Sequence, residues 1–310
     1  MPRAVLIANP SASQFTGGVF RQIKTTLSKA YDLSTEWPVS ADQTRVVSGA
    51  AADDHVDVVF AMGGDGVAHH VANGLVGSST ALGIIPVGTT NVLSRILGIP
   101  QSADKAAEGS VEWRPLPTRT VRIDAETLSG SMTRHAVFSV GIGFDADVVE
   151  SAETRPFAKS RFGSVHYAST AISRLLSSWR SEQPNLRMTC DGDRFDALVA
   201  LTQVHDPYTY FGMLPLRLTS EPPEGIATLA ANNLGIGRAA EIFTRAAAGI
   251  RHREATGVQL WTNYEKLSVD AEPTSPFQAD GEMLGHAAAI DLTPDEQGLL
   301  VLRPPDGDDG

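Results

Sequence analysis

The stretch from Asp57 to Gly74, DVVFAMGGDGVAHHVANG, constrains the fold more than any other part of the chain. Val58-Val59-Phe60-Ala61-Met62 is a short apolar run rich in β-branched residues and ended by glycine. That pattern predicts a strand buried on both faces. Gly63-Gly64-Asp65-Gly66 follows at once, and Val67, Val71 and Leu75 then recur at helical spacing, which predicts a helix from Val67 or Ala68. A strand, a glycine turn and a helix in that order present the helix's unpaired first N–H groups to a phosphate at the strand tip. The three glycines permit close approach of a ligand. Asp65 stands where phosphates would lie and would repel them unless a divalent metal or a substrate hydroxyl came between. The same residues also read as a tight strand-to-helix turn with Asp65 as helix cap, and this stretch alone does not decide between the two.

The arrangement recurs. Residues 4–8 (AVLIA) predict a buried strand that runs into Asn9-Pro10-Ser11-Ala12-Ser13 and Gly17-Gly18, followed by a helical spacing of Phe20, Ile23 and Leu27. Residues 33–37 predict a second strand and residues 41–52 a helix behind it. Residues 81–85 (ALGII) predict another strand, ending in Pro86-Val87-Gly88-Thr89-Thr90-Asn91, with a helix over 92–97. Each loop taken singly is a turn built of turn residues. Together, repeated strand-loop-helix units imply a parallel sheet with helices on both faces. Ligands of such sheets sit beyond the carboxyl ends of the strands, so the three loops are expected to converge.

Near Pro115-Leu116-Pro117 the pattern changes. Short or alternating apolar runs follow at 121–124, 136–140, 141–146, 186–190, 197–203, 214–218 and 226–232, which predict an antiparallel sandwich or barrel. Helical patterns interrupt it at 165–179 and 239–249, and residues 298–302 form a last strand before Pro304-Pro305 and an acidic tail.

Composition bounds the function. A chain of 310 residues has room for two domains. Its net charge of −11 disfavours nucleic acid as a partner. The single cysteine, Cys190, excludes an intramolecular disulfide and fits a reducing cytosol. No apolar run approaches the ~20 residues that span a bilayer, and the start lacks the apolar core of a signal peptide. The expected location is cytoplasmic, with peripheral contact at the inner membrane face; the oligomeric state, a homodimer included, is left open.

Five pieces, in order, carry a resemblance: Asn9-Pro10-Ser11, Gly63-Gly64-Asp65-Gly66, Pro86-Val87-Gly88-Thr89-Thr90-Asn91, Gly141-Ile142-Gly143-Phe144-Asp145-Ala146 and Asp280-Gly281-Glu282. The chain resembles the bacterial diacylglycerol kinases, a lipid kinase family related to sphingosine kinases and more distantly to NAD kinases. The resemblance implies an α/β + β fold. An N-terminal three-layer α/β domain over 1–120, rejoined by a strand from about 296–310, would bind ATP, and a β-rich sandwich domain over 121–295 would take the lipid. It implies phosphate or nucleotide contacts from Asn9, Pro10, Ser11, Ser13, Thr35, Gly63, Gly64, Asp65, Gly66, Thr89 and Asn91. It also implies a catalytic set of Glu282, Asp280 and Asp65, with Glu282 as proton acceptor and Asp65 competing for that role, as in sphingosine kinases. Asp124 would join a Mg²⁺–water network, and a second Mg²⁺ would lie on Glu224 with carbonyls of Glu221 and Ile226. The implied activity is transfer of phosphate from ATP to the hydroxyl of diacylglycerol at a membrane surface. A sphingoid base or another lipid alcohol is the alternative acceptor, and a non-catalytic lipid or nucleotide sensor the alternative class.

The chemistry of phosphoryl transfer asks for charge neutralisation, alignment and a base, and two carboxylates around a glycine can supply the last. Asp-Gly is equally a strong hairpin dipeptide, so residues 278–284 also read as a hydrophilic turn. Val67 and Val92 depart from the family pattern, which usually has threonine and often an acidic residue there. His69 and His70 are expected on the helix surface or as caps. Arg155, Lys159 and Arg161 around Phe157 and Phe162 read as a solvated loop or a membrane-docking patch. Residues 205–211 read as core packing or part of an acyl groove, His166 and Trp179 as helix-face residues, and Cys190 as an inert strand residue.

Overall fold

A computed structural model describes residues 1–153, 183–219, 225–250, 252 and 257–305. The helix expected over 165–179, the loop around Phe157, His166 and Trp179, and Glu221 and Glu224 all lie outside the described residues. The chain divides into two compact units, Met1–Thr120 with Glu296–Gly310, and Val121–Asp295.

The first unit alternates strand and helix: β1 (Arg3–Ala8), α1 (Gly17–Leu27), β2 (Asp32–Glu36), α2 (Ala41–Asp53), β3 (Val58–Gly63), α3 (Asp65–Leu75), β4 (Ala81–Pro86), α4 (Val92–Ile96) and α5 (Ala103–Ser110). The strands pair in parallel in the order β2-β1-β3-β4. Beside β4, Val301 and Leu302 of the last strand, β16 (Glu282–Arg303), add a fifth parallel strand. Every residue of β3 and β4 is buried, which is why their sequences are unbroken apolar runs rather than alternating ones. Hydroxyls start the first two helices. Thr16 accepts the N–H of Val19 at α1 and Ser40 that of Gln43 at α2, each bond typically worth about 1 kcal/mol. Helix α3 lies against α2, with Gly74 close on Ser48 and Gly49. It begins at Asp65, two or three residues earlier than the periodicity predicts, because extended Gly64 is its N-cap. The order of the strands reverses between β1 and β3, and such a reversal opens a crevice at the strands' carboxyl ends.

The second unit is antiparallel. Its strands are the later part of β5 (Arg114–Thr127), β6 (Gly130–Ala136), β7 (Ser139–Gly143), β8 (Leu186–Cys190), β9 (Asp193–Ala197), β10 (Val199–Gln203), β11 (Thr209–Phe211), β12 (Leu214–Leu216), β13 (Ala227–Ala231), β14 (Val258–Thr262), β15 (Leu267–Ala279) and the first part of β16. Helices α6 (Phe144–Glu153) and α7 (Ile236–Ala248) interrupt them. The main path runs β14-β13-β10-β7-β15-β16, with β8 also on β15 and β5 paired to β6. Alternating residues of β5, β7, β8, β15 and β16 meet in one core around Ile123, Ile142, Met188, Phe277 and Ile290. The β-rich reading holds. Two features departed from it. Residues 144–146 open a helix rather than end a strand. The turn of the β15–β16 hairpin was among the readings, but the length of its strands was not, since Pro273 breaks the alternation where the register shifts between Asp270 and Ser275.

Candidate active site

In the first unit the loops after β1, β3 and β4 are laced together. The Asn9 N–H donates to the Met62 carbonyl at 3.0 Å. The Gln14 N–H reaches the Val87 carbonyl at 2.9 Å, and its side-chain amide donates to the Gly88 carbonyl at 2.7 Å. The Ser13 and Thr89 hydroxyls lie 3.0 Å apart. Gly64 and Gly88 touch backbone to backbone: a Cβ on Gly88 would sit 2.5 Å from the Gly64 Cα, so only glycine lets these loops meet. The expected convergence of three strand-tip loops is therefore what the fold produces. Gln14, which the sequence reading passed over, is one of its ties; its place directly after Ser13 was the available signal.

Within that cluster the polar residues divide. The Asn9 side-chain oxygen accepts the Ser11 N–H at 2.9 Å, which shapes the loop, while Pro10, Ser11, Ser13 and Thr89 are exposed. Asn91 is buried at 5% exposure in a left-handed conformation. It accepts the Gly88 N–H at 3.0 Å and donates to the Gly88 carbonyl at 3.1 Å, so it locks the loop from behind. Thr35 pairs with Leu6 near the end of β2, and its buried hydroxyl finds no partner among the described residues. The Asp65 carboxylate accepts the N–H groups of Val92 and Leu93, both at 3.0 Å. It opens α3 yet caps α4. Its charge is thus directed to donors on the next helix.

In the second unit, Asp280 and Gly281 form the two-residue turn between β15 and β16, with φ of 55° and 80°. The turn is not hydrophilic surface. Asp280 is 3% exposed, and its carboxylate accepts the N–H groups of Val137, Phe138 and Ser139 at 2.8 to 3.0 Å. Glu282 follows, half-buried, opposite Ala279. Asp124 is on the β5–β6 hairpin with Arg122 at 2.9 Å and the Thr133 hydroxyl at 2.6 Å. Burial raises its carboxyl, and the Thr133 and Arg122 contacts outweigh that and hold it below the usual range. The Ile226 carbonyl already accepts the Asn263 N–H at 3.0 Å.

Among the described residues no group of three or more His, Cys, Asp and Glu gathers to hold a metal. Asp65, Asp124 and Asp280 each bond protein donors instead. The residues described do not fit a protein-built Mg²⁺ cage, and no step is derived through one.

The sequence profile of the diacylglycerol kinase catalytic domain matches residues 3–123. Over those residues the chain is similar to that catalytic domain. The chain is 35% identical over 105 residues to the diacylglycerol kinase of Bacillus subtilis (strain 168), a match that spans 35% of that protein and 33% of this chain. SAR0780 of Staphylococcus aureus (strain MRSA252), provisionally named a lipid kinase, is 23% identical over 253 residues, 80% of this chain and 78% of its own. The crystal structure of a diacylglycerol kinase from Bacillus anthracis str. Sterne shares the fold, with a TM-score of 0.69, 17% identity, and coverage of 98% of this chain and 97% of that one.

Two departures from the family pattern now have a shape. Val67 lays its methyl groups against Gly63, where a Cβ would come within 2.5 Å of Val67 Cγ2. Valine keeps the outline of threonine and loses the hydroxyl. His69, expected on the helix surface or as a cap, is buried at 1% exposure. His70 meets it edge to face at 5.1 Å and lies 3.0 Å from the Arg45 guanidinium, which makes its Nδ1 the acceptor. Among the described residues no helix is long and apolar enough to cross a membrane.

Proposed function

We propose that this chain is an ATP-dependent lipid kinase that phosphorylates the primary hydroxyl of diacylglycerol, giving phosphatidic acid. One observation carries the reading: three loops from the tips of β1, β3 and β4, two of them in glycine-to-glycine contact, form a single polar rim at the sheet's carboxyl edge. Phosphoryl transfer needs little covalent help from protein. It needs a triphosphate held in place by backbone N–H groups and hydroxyls. The rim offers Ser11, Ser13 and Thr89 as exposed hydroxyls and the first turn of α3, where Gly64 makes no side-chain cap. In this reading Glu282 accepts the proton of the lipid hydroxyl. The acceptor lipid is drawn from a membrane surface.

The test is transfer of radiolabel from ATP, with Mg²⁺ present, to diacylglycerol, a sphingoid base and ceramide in mixed micelles. Label in phosphatidic acid is expected. A folded protein that labels none of these lipids overturns the reading.

A second reading is favoured by a specific pair of facts. Val67 lacks a hydroxyl, and the Asp65 carboxylate is held by the amides of α4. A nucleotide or lipid sensor on this fold would bind ATP in calorimetry and transfer nothing.

A further inference from the structure

One buried acidic residue has no part in the loops described so far. Asp145 stands in the first turn of α6, and its Oδ2 accepts both the Tyr208 hydroxyl at 2.9 Å and the Gln278 side-chain amide at 2.8 Å. Burial pushes its carboxyl above the usual range, against those two bonds. Gly141 faces it directly: a Cβ there would overlap Asp145 Oδ2 and stand 2.7 Å from Gln278 Nε2. The backbone thus leaves room for the pair.

A carboxylate only accepts, so it fixes which way the Gln278 amide points. The nitrogen faces Asp145 and the oxygen must face away. That oxygen accepts the N–H of Gly281 at 2.8 Å. Gln278 is 2% exposed, so no water competes freely for either end. The turn ahead of Glu282 is consequently gripped twice. Asp280 binds it to three amides of the β6–β7 connection, and Asp145 binds it through Gln278. Both turn residues have positive φ, a geometry that aims the next side chain and does not tolerate drift. Apolar side chains could fill the space of the Asp145–Gln278–Tyr208 group with less desolvation, so holding the turn needs a reason other than bulk stability.

We infer that Asp145, acting through Gln278, is a positioning residue for the Asp280-Gly281-Glu282 turn and sets where the Glu282 carboxylate stands during proton acceptance. The inference rests on Glu282 being the proton acceptor.

The experiment is a double-mutant cycle on the full chain, reading lipid phosphorylation. Gln278→Met conserves volume and removes both bonds. It is expected to lower kcat about ten- to hundredfold, the scale of a ~1 Å misplacement, with the KM for ATP within about twofold. In a Glu282→Gln background the same change is expected to have no further effect, because the group being placed is already gone. Asp145→Ala, which leaves Gln278 in place, should reproduce the loss. Asp145→Asn, which keeps an oxygen for Gln278, should recover most of it; these two variants carry the test if Gln278→Met fails to fold. Wild-type kcat in Gln278→Met and Asp145→Ala, or an equal further loss in the Glu282→Gln background, overturns the positioning role alone. Wild-type turnover in Glu282→Gln overturns the proton-acceptor reading on which it stands.

Discussion

Replacing Asp280 by alanine tests whether this residue is chiefly an anchor. Its carboxylate receives three backbone N–H groups, one of them, Val137, at both oxygens. Truncation leaves all three donors buried and unmatched. At about 1–2 kcal/mol each that is roughly 3–6 kcal/mol. Alanine at the φ of 55° adds about 1 kcal/mol. Differential scanning calorimetry should then show a Tm lower by roughly 10–25 °C, taking about 2–4 °C per kcal/mol for a unit of this size. Asp280→Gly should lose less, since glycine accepts the positive φ. Asp280→Asn should lose least, since its oxygen can still serve the donors now at Oδ1. If Asp280→Ala melts within about 1 kcal/mol of wild type, the anchor argument is refuted, and a direct chemical role for this carboxylate regains its claim.

Asp65→Asn should reduce turnover and also destabilise the first unit by about 0.5–2 kcal/mol in urea titration, because one of the two acceptors for the α4 amides becomes a donor. His252 is 3% exposed, and burial, helped by Arg245, pushes its imidazole down from 6.5 to about 4. Between those pH values the unfolded chain binds a proton there and the folded chain does not, so acidification through that window should weaken the fold by up to about 3 kcal/mol. His252→Leu should flatten that part of the stability profile. The Cys190 thiol is buried and pushed up to about 12 by burial and by Asp191 and Asp193. An aromatic disulfide reagent at pH 8 should therefore leave the native protein unlabelled and label one thiol per chain in urea.

Much of the first unit was legible because its signals are local. Strands buried on both faces must be apolar throughout, so β3 and β4 announce themselves. Glycines at strand tips announce the loops, and three such loops in a parallel sheet can only emerge at one edge. The second unit was legible in kind and less so in detail. A 22-residue β16 and its partner β15 are held by pairing across the hairpin, with bulges that break the period-two pattern on which sequence reading depends.

The amino-acid order by itself determined the class of each domain, the tips where a phosphate could dock and the residue types available for chemistry. What it left to tertiary structure was the direction of each polar side chain. Asp65 reaches to the start of α4, 27 positions further along the chain, Asp280 to amides 141 to 143 positions earlier, and Gln278 to Asp145 across 133. A carboxylate is defined by the donors that surround it, and donors that distant in sequence become neighbours only when the sheets close.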